Sequence, residues 1–241
     1  MNFYQSISQY YDYVFPLNEK QVSFIKQSLN NETEGKVLLD IGCSTGSLCV
    51  ALSELRLKTL GIDLDPEMIR LSKLKDNNRS TDFRVMDMIM IDEEFKGRSF
   101  DIISCFGNTL VHLTDIELIS KFLIKCKSLL KPGGKLLIQI LNYNYILDNQ
   151  IFELPLIDNN TIRFKRSYFW NDTYNLLNFK TILTVKENSY NIENTIPLMP
   201  LRKEEIDTIL KEAGFEKLSY FSSFERMSYN SASLPLVLEA I

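Results

Sequence analysis

The stretch Val37-Leu-Leu-Asp-Ile-Gly-Cys-Ser-Thr-Gly46 decides the fold of this chain. Lys36–Ile41 is a short, nearly all-apolar run, which is typical of a strand buried on both faces of a sheet. Gly42 and Gly46 then permit a tight turn and the close approach of a ligand, and a helical pattern follows from Gly46 to about Leu55. Strand, glycine-rich turn and helix in this order predict the first unit of a nucleotide-binding α/β fold.

Outward from this unit, strand and helix patterns alternate along the chain. The further predicted strands are Lys58–Asp63, Asp82–Asp87, Phe100–Phe106 and Lys135–Ile140, and the predicted helices are Pro66–Lys75 and Thr114–Leu130. The second of these helices ends in Lys131-Pro-Gly-Gly134, a strong stop and turn signal. Such alternation predicts a parallel sheet with helices on both faces.

The pattern changes between residues 142 and 201, where β-branched and aromatic residues replace the helical signal. Three strands are predicted there, near Thr161–Trp170, Leu176–Val185 and Tyr190–Ile196. A helix at Arg202–Ala213 and two strands, Phe215–Phe221 and Leu234–Ala240, complete the chain. We therefore expect a single domain over residues 1–241, into which residues 142–201 are inserted as an antiparallel, β-rich substrate cap.

Charge and hydropathy exclude several classes of function. A net charge of −4 and a pI of about 5.3, without a basic face, argue against a nucleic-acid partner. No apolar run approaches the roughly 20 residues that a membrane span needs, and residues 1–9 show no signal peptide. Four cysteines without a C-x-x-C pair and one histidine predict free thiols and no metal site. The prediction is a cytoplasmic protein without membrane or nucleic-acid partners.

The residues around the glycine-rich turn indicate what kind of cofactor it holds. Asp63 ends the second strand about 20 residues after the turn, where a carboxylate can accept hydrogen bonds from ribose hydroxyls. Ser44 stands where a dinucleotide fingerprint places its second glycine, which disfavours a pyrophosphate. Asp40 before the turn would repel an anion but suits a ligand that bears an amine and a sulfonium. A nicotinamide-dependent oxidoreductase remains the alternative within this fold.

In these motifs the chain resembles the class I S-adenosylmethionine-dependent methyltransferases. The resemblance covers Val37–Gly46, Asp63, Asp87-Met88 and the turn Leu129–Gly134. It implies a Rossmann-like sheet of seven strands with the last one antiparallel, and S-adenosylmethionine as the cofactor. Asp63 would then hold the ribose and Asp87 the adenine amino group. The complete predicted cofactor site is Tyr11, Asp40, Gly42, Cys43, Gly46, Asp63, Leu64, Met68, Asp87, Met88 and Phe106, with Tyr10 and Tyr13 as further aromatic candidates.

The loop Phe106-Gly-Asn-Thr-Leu-Val-His-Leu113 resembles that of the glycine and sarcosine N-methyltransferases. By this resemblance Asn108 and His112 lie beside the methyl acceptor and are the predicted catalytic residues. His112 has the ordinary pKa of a general base, but it could equally hydrogen-bond the backbone. The loop lacks the Asn/Asp-Pro-Pro-aromatic sequence of enzymes that methylate nucleobases or glutamine.

One departure from that family concerns the acceptor. Leu141 occupies the position of the arginine that clamps the substrate carboxylate, and an aliphatic chain cannot replace a guanidinium. Glycine is therefore expected to be a poor substrate, unless Arg163 or Arg166 supplies a cation from the cap. Alternation along the strand indicates that most of this basic cluster, which also contains Lys165, is solvated. Aromatic candidates for the acceptor site are Tyr143, Tyr145, Tyr168 and Trp170.

The sequence thus predicts a methyltransferase that acts on a small molecule at nitrogen or oxygen, as a monomer or a homodimer. Two alternatives are kept: a nicotinamide-dependent oxidoreductase, and a non-catalytic module that binds S-adenosylmethionine.

Overall fold

The computed structural model describes residues 3–241, and within them the chain forms two β-sheets. The strands, in chain order, are β1 (Val37–Ile41), β2 (Lys58–Asp63), β3 (Thr81–Val85), β4 (Phe100–Cys105), β5 (Leu130–Leu141), β6 (Ile157–Asp158), β7 (Ile162–Asn171), β8 (Leu176–Val185), β9 (Tyr190–Leu198), β10 (Leu218–Phe221) and β11 (Pro235–Ala240). The helices are α1 (Phe3–Ile7), α2 (Tyr11–Val14), α3 (Glu19–Ser28), α4 (Ser47–Ser53), α5 (Pro66–Lys75), α6 (Ile91–Glu94), α7 (Ile116–Leu129), α8 (Tyr143–Asp148) and α9 (Lys203–Glu212).

The larger sheet has seven strands in the order β10-β11-β5-β4-β1-β2-β3. β1, β2, β3, β4 and β5 run parallel, while β11 is antiparallel to both of its neighbours. This confirms the predicted Rossmann-like, mostly parallel sheet and its antiparallel last strand. The strand order reverses between β1 and β4, and ligands of open α/β sheets bind at the carboxyl ends of the strands at such a point.

The segment Lys131-Pro-Gly-Gly134 does not form the turn that the sequence predicts, because it lies within β5. β5 already pairs with β4 at Leu130, and the register then shifts before pairing resumes at Lys135. Gly133, with φ of 76°, lies inside this irregularity. The Pro-Gly-Gly segment therefore forms a bulge within a longer strand, because α7 ends at Leu129 and β5 begins at the next residue.

The second sheet is antiparallel and has four strands, β6-β7-β8-β9, rather than the three predicted. β6 is only two residues long, too short to show an alternating pattern. Along β7, Ile162, Phe164 and Tyr168 are buried, whereas Arg163 and Lys165 between them are exposed. One face of this sheet therefore packs inward and the other faces solvent.

The N-terminal helices pack against the second sheet. Ile7 and Val14 form one buried cluster with Ile162, Phe164 and Leu183. These helices were not predicted, because their residues are aromatic and polar without helical periodicity. Among residues 3–241, no helix is long and apolar enough to cross a membrane.

Candidate active site

A cavity of about 1010 Å³ lies at the carboxyl ends of β1, β2 and β4. The loops that follow these strands form its floor, and residues of the N-terminal segment and of the second sheet also contribute to its wall. Its size is at the upper end of the range for small-molecule sites. The position agrees with the reversal of strand order described above.

The glycine-rich turn is held by the backbone of β2. The amides of Gly42 and Cys43 both donate to the Ile62 carbonyl, at 2.8 and 2.9 Å. Gly42 has φ of 71°, and a Cβ on it would lie 2.6 Å from the Thr109 side chain, so this close approach requires glycine. Gly46 does not line the cavity; a Cβ there would lie 2.6 Å from the Phe83 ring. Its position points to packing rather than to the predicted ligand contact.

Asp63 lies at the end of β2 with its carboxylate anchored by the backbone. Oδ2 accepts from the Ser44 amide and Oδ1 from the Asp65 amide, each at 2.9 Å. Burial raises the pKa of this carboxyl, while these two hydrogen bonds oppose the shift. Each oxygen keeps a lone pair, so the fixed carboxylate can accept hydrogen bonds from a ligand in the cavity.

Asp40, one residue before the end of β1, is a buried carboxyl in the cavity floor. Oδ1 accepts from Ser104 Oγ at 2.7 Å, and Oδ2 from Cys49 Sγ at 3.5 Å. Burial raises its pKa to about 6, and the two hydrogen bonds limit that rise. This carboxyl therefore contributes negative potential to the site only above that pH.

The side of the cavity beyond β2 and β3 is apolar. Leu64 is 63% exposed although it lies in the cavity wall, next to Met88 and Asp87. The Asp87 carboxylate accepts from the Ile89 amide at 3.0 Å and so caps the following turn. Met68 is completely buried in α5 and is not part of the wall, so the structure does not bring this predicted cofactor residue to the cavity.

The N-terminal segment closes over the glycine-rich turn. Tyr11 lines the cavity and hydrogen-bonds Ser44 through its side chain; burial raises the pKa of its phenol to about 12. Lys75 Nζ joins this segment to the turn, because it donates to Asp12 Oδ2 at 2.7 Å and to Thr45 Oγ1 at 2.9 Å. Thr45 Oγ1 in turn donates to Asp12 Oδ1 at 2.6 Å. Tyr13 is 53% exposed and does not line the cavity.

Two more predicted cofactor residues, Cys43 and Phe106, lie in the cavity wall and are largely buried. The Phe106 ring packs edge-on against Phe24 and Phe224, with centroids 6.4 and 5.0 Å away. It therefore fixes the beginning of the loop after β4 against the core.

Asn108 acts as a bridge within the acceptor side of the cavity. With φ of 68° it turns the chain sharply, and its Oδ1 accepts from the Leu141 amide at 3.0 Å. Its Nδ2 donates to Tyr143 Oη, also at 3.0 Å. The oxygen and the nitrogen of this amide thus each hydrogen-bond another part of the protein. Asn108 is therefore better suited to positioning its neighbours than to binding the acceptor by itself.

His112 faces the cavity and is bonded to Tyr4, with Nε2 and Oη 2.8 Å apart. Burial lowers its pKa to about 4, so the imidazole is neutral at pH 7. A base of such low pKa removes protons poorly at neutral pH. The low pKa therefore argues against His112 as a general base at neutral pH, while its position in the wall allows a polar contact with a ligand.

The second sheet and the end of β5 supply the rest of the cavity wall. Leu141 and the buried Tyr168 line the cavity, while Tyr145 and Trp170 do not. Tyr143 is completely buried behind Asn108. Of the two arginines considered as cations for the acceptor, Arg163 is exposed and paired with Asp158 at 3.0 Å, whereas Arg166 lies in the cavity wall.

The donor side of the site fits S-adenosylmethionine. Asp63 and Asp87 are carboxylates placed to accept from hydroxyl and amino groups, and exposed Leu64 offers an apolar contact for a planar ring. Acidic side chains suit a ligand that carries an ammonium and a sulfonium. Lys75, which donates to Thr45 of the glycine-rich turn, already forms an ion pair with Asp12. A pyrophosphate would find little compensation there.

Three side chains that structure the site were not predicted: Tyr4, Lys75 and Gln139. Gln139 Oε1 accepts from the Gly107 amide at 2.9 Å and fixes the loop after β4 to β5. A polar residue within the apolar run Leu136–Ile140 was a usable signal for Gln139. Tyr4 and Lys75 offered no such signal, because their partners are distant in the sequence. Within residues 3–241, no cluster of three or more His, Cys, Asp or Glu residues is arranged to hold a metal ion.

Solved structures with a similar fold include methyltransferases. A S-adenosylmethionine-dependent methyltransferase from Clostridium acetobutylicum superimposes with a TM-score of 0.82 at 18% identity, over 99% of this chain and 98% of that one. An amino pentose methyltransferase from Micromonospora echinaspora gives 0.71 at 15% identity, over 100% and 98%. At such identities the likeness establishes the fold, which is that of class I methyltransferases.

The sequence is also similar to a protein family and to curated proteins. Residues 39–138 match the family described as "Methyltransferase domain", so this part of the chain is similar to a methyltransferase domain. The ubiquinone biosynthesis O-methyltransferase of Xanthomonas euvesicatoria is 34% identical over 128 residues, 52% of this chain and 51% of the relative. That of Xanthomonas campestris is 36% identical over 110 residues, 45% and 44% of the two chains. The chain thus spans about half the length of the curated relatives it matches.

Proposed function

We propose that this protein transfers a methyl group from S-adenosylmethionine to a nitrogen or oxygen atom of a small molecule. The observation that carries the proposal is a single cavity that joins the donor side around Asp63 to the acceptor side around His112. The methyltransferase domain and the shared fold support it.

In this proposal, Asp63 holds the ribose, Asp87 accepts from the adenine amino group, and Leu64 and Met88 contact the ring. When bound, S-adenosylmethionine would supply an activated methyl group: the acceptor lone pair would form the new bond, the electron pair of the sulfur–methyl bond would stay on sulfur, and the proton of the acceptor would pass to water. The protein contributes mainly alignment, which accounts for much of the acceleration in such displacements. Asn108 fixes the floor of the acceptor side, and neutral His112 offers a hydrogen-bonding partner beside Tyr4.

We further propose that residues 142–201 act as the substrate cap, because Arg166, Tyr168 and Phe179 of this segment reach the cavity wall. The enclosure that they provide supports a small acceptor rather than a nucleic-acid duplex. The buried free cysteines fit a reducing compartment such as the cytoplasm.

The test of the donor assignment is calorimetry with S-adenosylmethionine and S-adenosylhomocysteine. Asp63→Ala is expected to weaken binding by about 1.5–3 kcal/mol, the range for hydrogen bonds to a charged group. Asp82→Ala, which removes an exposed carboxylate from the neighbouring strand β3, is the matched control and is expected to bind like the wild type. Wild-type binding of a nicotinamide dinucleotide instead would support the oxidoreductase. Binding without turnover in a broad screen of acceptors would support a non-catalytic module.

A further inference from the structure

Arg166 is a cation on the inward face of the cap. Side chains alternate along β7, and Arg166 is in phase with the buried residues Phe164 and Tyr168. Arg163 and Lys165, its neighbours in the basic cluster, point to the opposite, exposed face. The strand therefore places one of its three cations in the wall of the acceptor side.

No carboxylate within residues 3–241 neutralises this guanidinium at salt-bridge distance. Its Nη2 donates to the Pro155 carbonyl at 2.8 Å, and its Nε is buried without a hydrogen-bond partner. Burial lowers its pKa from the ordinary arginine value, but a guanidinium remains charged at any physiological pH. Arg166 is partly buried, and a partly desolvated charge without a counter-ion costs free energy that a bound anion would offset.

The distribution of charge over the cavity wall separates its two ends. The acidic side chains Asp40, Asp63 and Asp87 surround the donor side. The two basic residues of the wall are Lys20 and Arg166, and Lys20 already pairs with Glu225 at 3.0 Å. Among the wall residues within the described part of the chain, Arg166 is thus the cationic side chain that is available to a ligand on the acceptor side.

We propose that Arg166 binds a carboxylate of the methyl acceptor, so that the preferred acceptors are small apolar or aromatic molecules with one carboxylate. This inference rests on the proposed methyl transfer. Leu154, Phe179 and Leu198 give the neighbouring wall an apolar character that suits the carbon skeleton. A single guanidinium matches one carboxylate in charge and in its planar, bidentate geometry. A phosphate monoester carries about twice the charge of a carboxylate, so one guanidinium would neutralise only about half of that charge.

This assignment also changes the expectation drawn from Leu141. The loop position that carries a carboxylate-binding arginine in the glycine methyltransferases is aliphatic here, but the cation comes from the cap instead. The carboxylate is then held on the β7 side of the cavity rather than beside β5. Acceptors whose carboxylate is separated from the nucleophile by a ring or a chain are therefore expected to be better substrates than glycine.

The experiment compares carboxylate and amide forms of the same probe. Pairs such as 4-hydroxybenzoate and 4-hydroxybenzamide, 4-aminobenzoate and 4-aminobenzamide, and phenylglycine and phenylglycinamide are titrated calorimetrically into protein saturated with S-adenosylhomocysteine. In the wild type the acid of at least one pair is expected to bind at least about tenfold more tightly, as for a hydrogen bond to a charged group. Arg166→Met should abolish this preference, whereas Lys165→Met, on the exposed face of the same strand, should retain it.

A second readout separates binding from a structural role. Methionine keeps the aliphatic stem and removes the uncompensated charge, so the thermal midpoint of unliganded Arg166→Met should equal or exceed that of the wild type. A clearly lower midpoint would mean that Arg166 serves packing and would overturn the inference. So would a panel without any acid preference in the wild type, or a preference that survives in Arg166→Met. If the wild type did not bind S-adenosylhomocysteine at all, the proposed function itself would fail, and calorimetry with that compound alone distinguishes this case.

Discussion

At the scale of single residues, burial in the cavity floor shifts the pKa values of titratable groups toward their uncharged forms. Asp40 and His112 are an acid and a base, yet burial shifts each pKa toward the uncharged form, to about 6 and to about 4. Water therefore contributes little to the solvation of charge in this part of the site. A cation that stays charged there, as Arg166 does, stands out as a binding group.

The protonation of His112 can be observed directly, because the chain contains a single histidine. In tag-free protein we expect its ring resonances to show no titration between pH 5.5 and 8, since burial lowers the pKa to about 4. Tyr4→Phe removes the hydrogen bond to Nε2 but not the burial, and should leave the ring neutral over the same range. An inflection near the ordinary histidine value in the wild type would restore His112 as a candidate general base.

Asp40 makes stability fall as pH rises, which is the opposite of the effect of a carboxylate whose pKa is lowered by folding. Its folded pKa of about 6 lies above the unfolded value, so the folded state binds the proton more tightly and stability falls as pH rises through that range. Between pH 5 and pH 8 the wild type should lose about 1.4 kcal/mol more unfolding free energy than Asp40→Asn does. Urea denaturation at the two pH values measures this difference.

Asp172→Asn, at the exposed turn between β7 and β8, is the control for the Asp40 experiment. It should reproduce the wild-type difference between the two pH values. Equal pH dependence of Asp40→Asn and the wild type would show that Asp40 does not titrate in this range.

At the scale of elements, contacts between distant segments assemble the site. The loop after β4 is fixed to β5 by three hydrogen bonds, from the Gly107 amide to the Gln139 side chain, from the Asn108 amide to the Gln139 carbonyl, and from the Leu141 amide to the Asn108 side chain. The N-terminal segment is fixed to the glycine-rich turn through Lys75 of α5. Each connection spans about thirty residues or more in sequence, which explains why local patterns did not reveal them.

The connection made by Lys75 is expected to hold α2 over the donor side. Lys75→Met and Asp12→Asn should each weaken S-adenosylhomocysteine binding, and a double-mutant cycle should give a coupling of about 0.5–1 kcal/mol, as for a partly exposed ion pair. Calorimetry on the four proteins measures the coupling. Lys73→Met, two residues earlier on the exposed side of α5, should bind like the wild type. Additive effects in the cycle would mean that the two residues act independently.

Local sequence predicted the elements around the glycine-rich turn better than those at the edges of the fold. β1, β2 and β4 with their helices combine apolar runs, caps and glycine, and the structure places them within a few residues of expectation. α1 and α2 depend on tertiary packing and were missed. Arg166 was predictable in principle, because it is in phase with Phe164 and Tyr168, but alternation alone does not say which face of β7 is buried.

At the scale of the whole molecule, the two sheets form one site with the N-terminal helices packed against the cap. Phe15 contacts the Phe164 ring edge-on, with centroids 6.0 Å apart; Phe15 itself lines the cavity, and Phe164 is two residues from Arg166, which also lines it. The packing of α2 on β7 is therefore coupled to the shape of the cavity. A defect in that contact should affect both stability and ligand binding.

Phe164 tests this coupling because it is completely buried where the cap packs against α2. Phe164→Ala is expected to lower the unfolding free energy by about 3–5 kcal/mol, the usual cost of emptying the space of a buried aromatic ring. It should also weaken S-adenosylhomocysteine binding, since Tyr11 and Asp12 lie on the helix that loses its support. Urea denaturation and calorimetry measure the two effects. Phe169→Ala, on the opposite face of β7 and 47% exposed, is the matched control and should cost less than about 1 kcal/mol without a change in binding. If Phe164→Ala lost stability but bound S-adenosylhomocysteine like the wild type, the cap would support the fold without shaping the donor side.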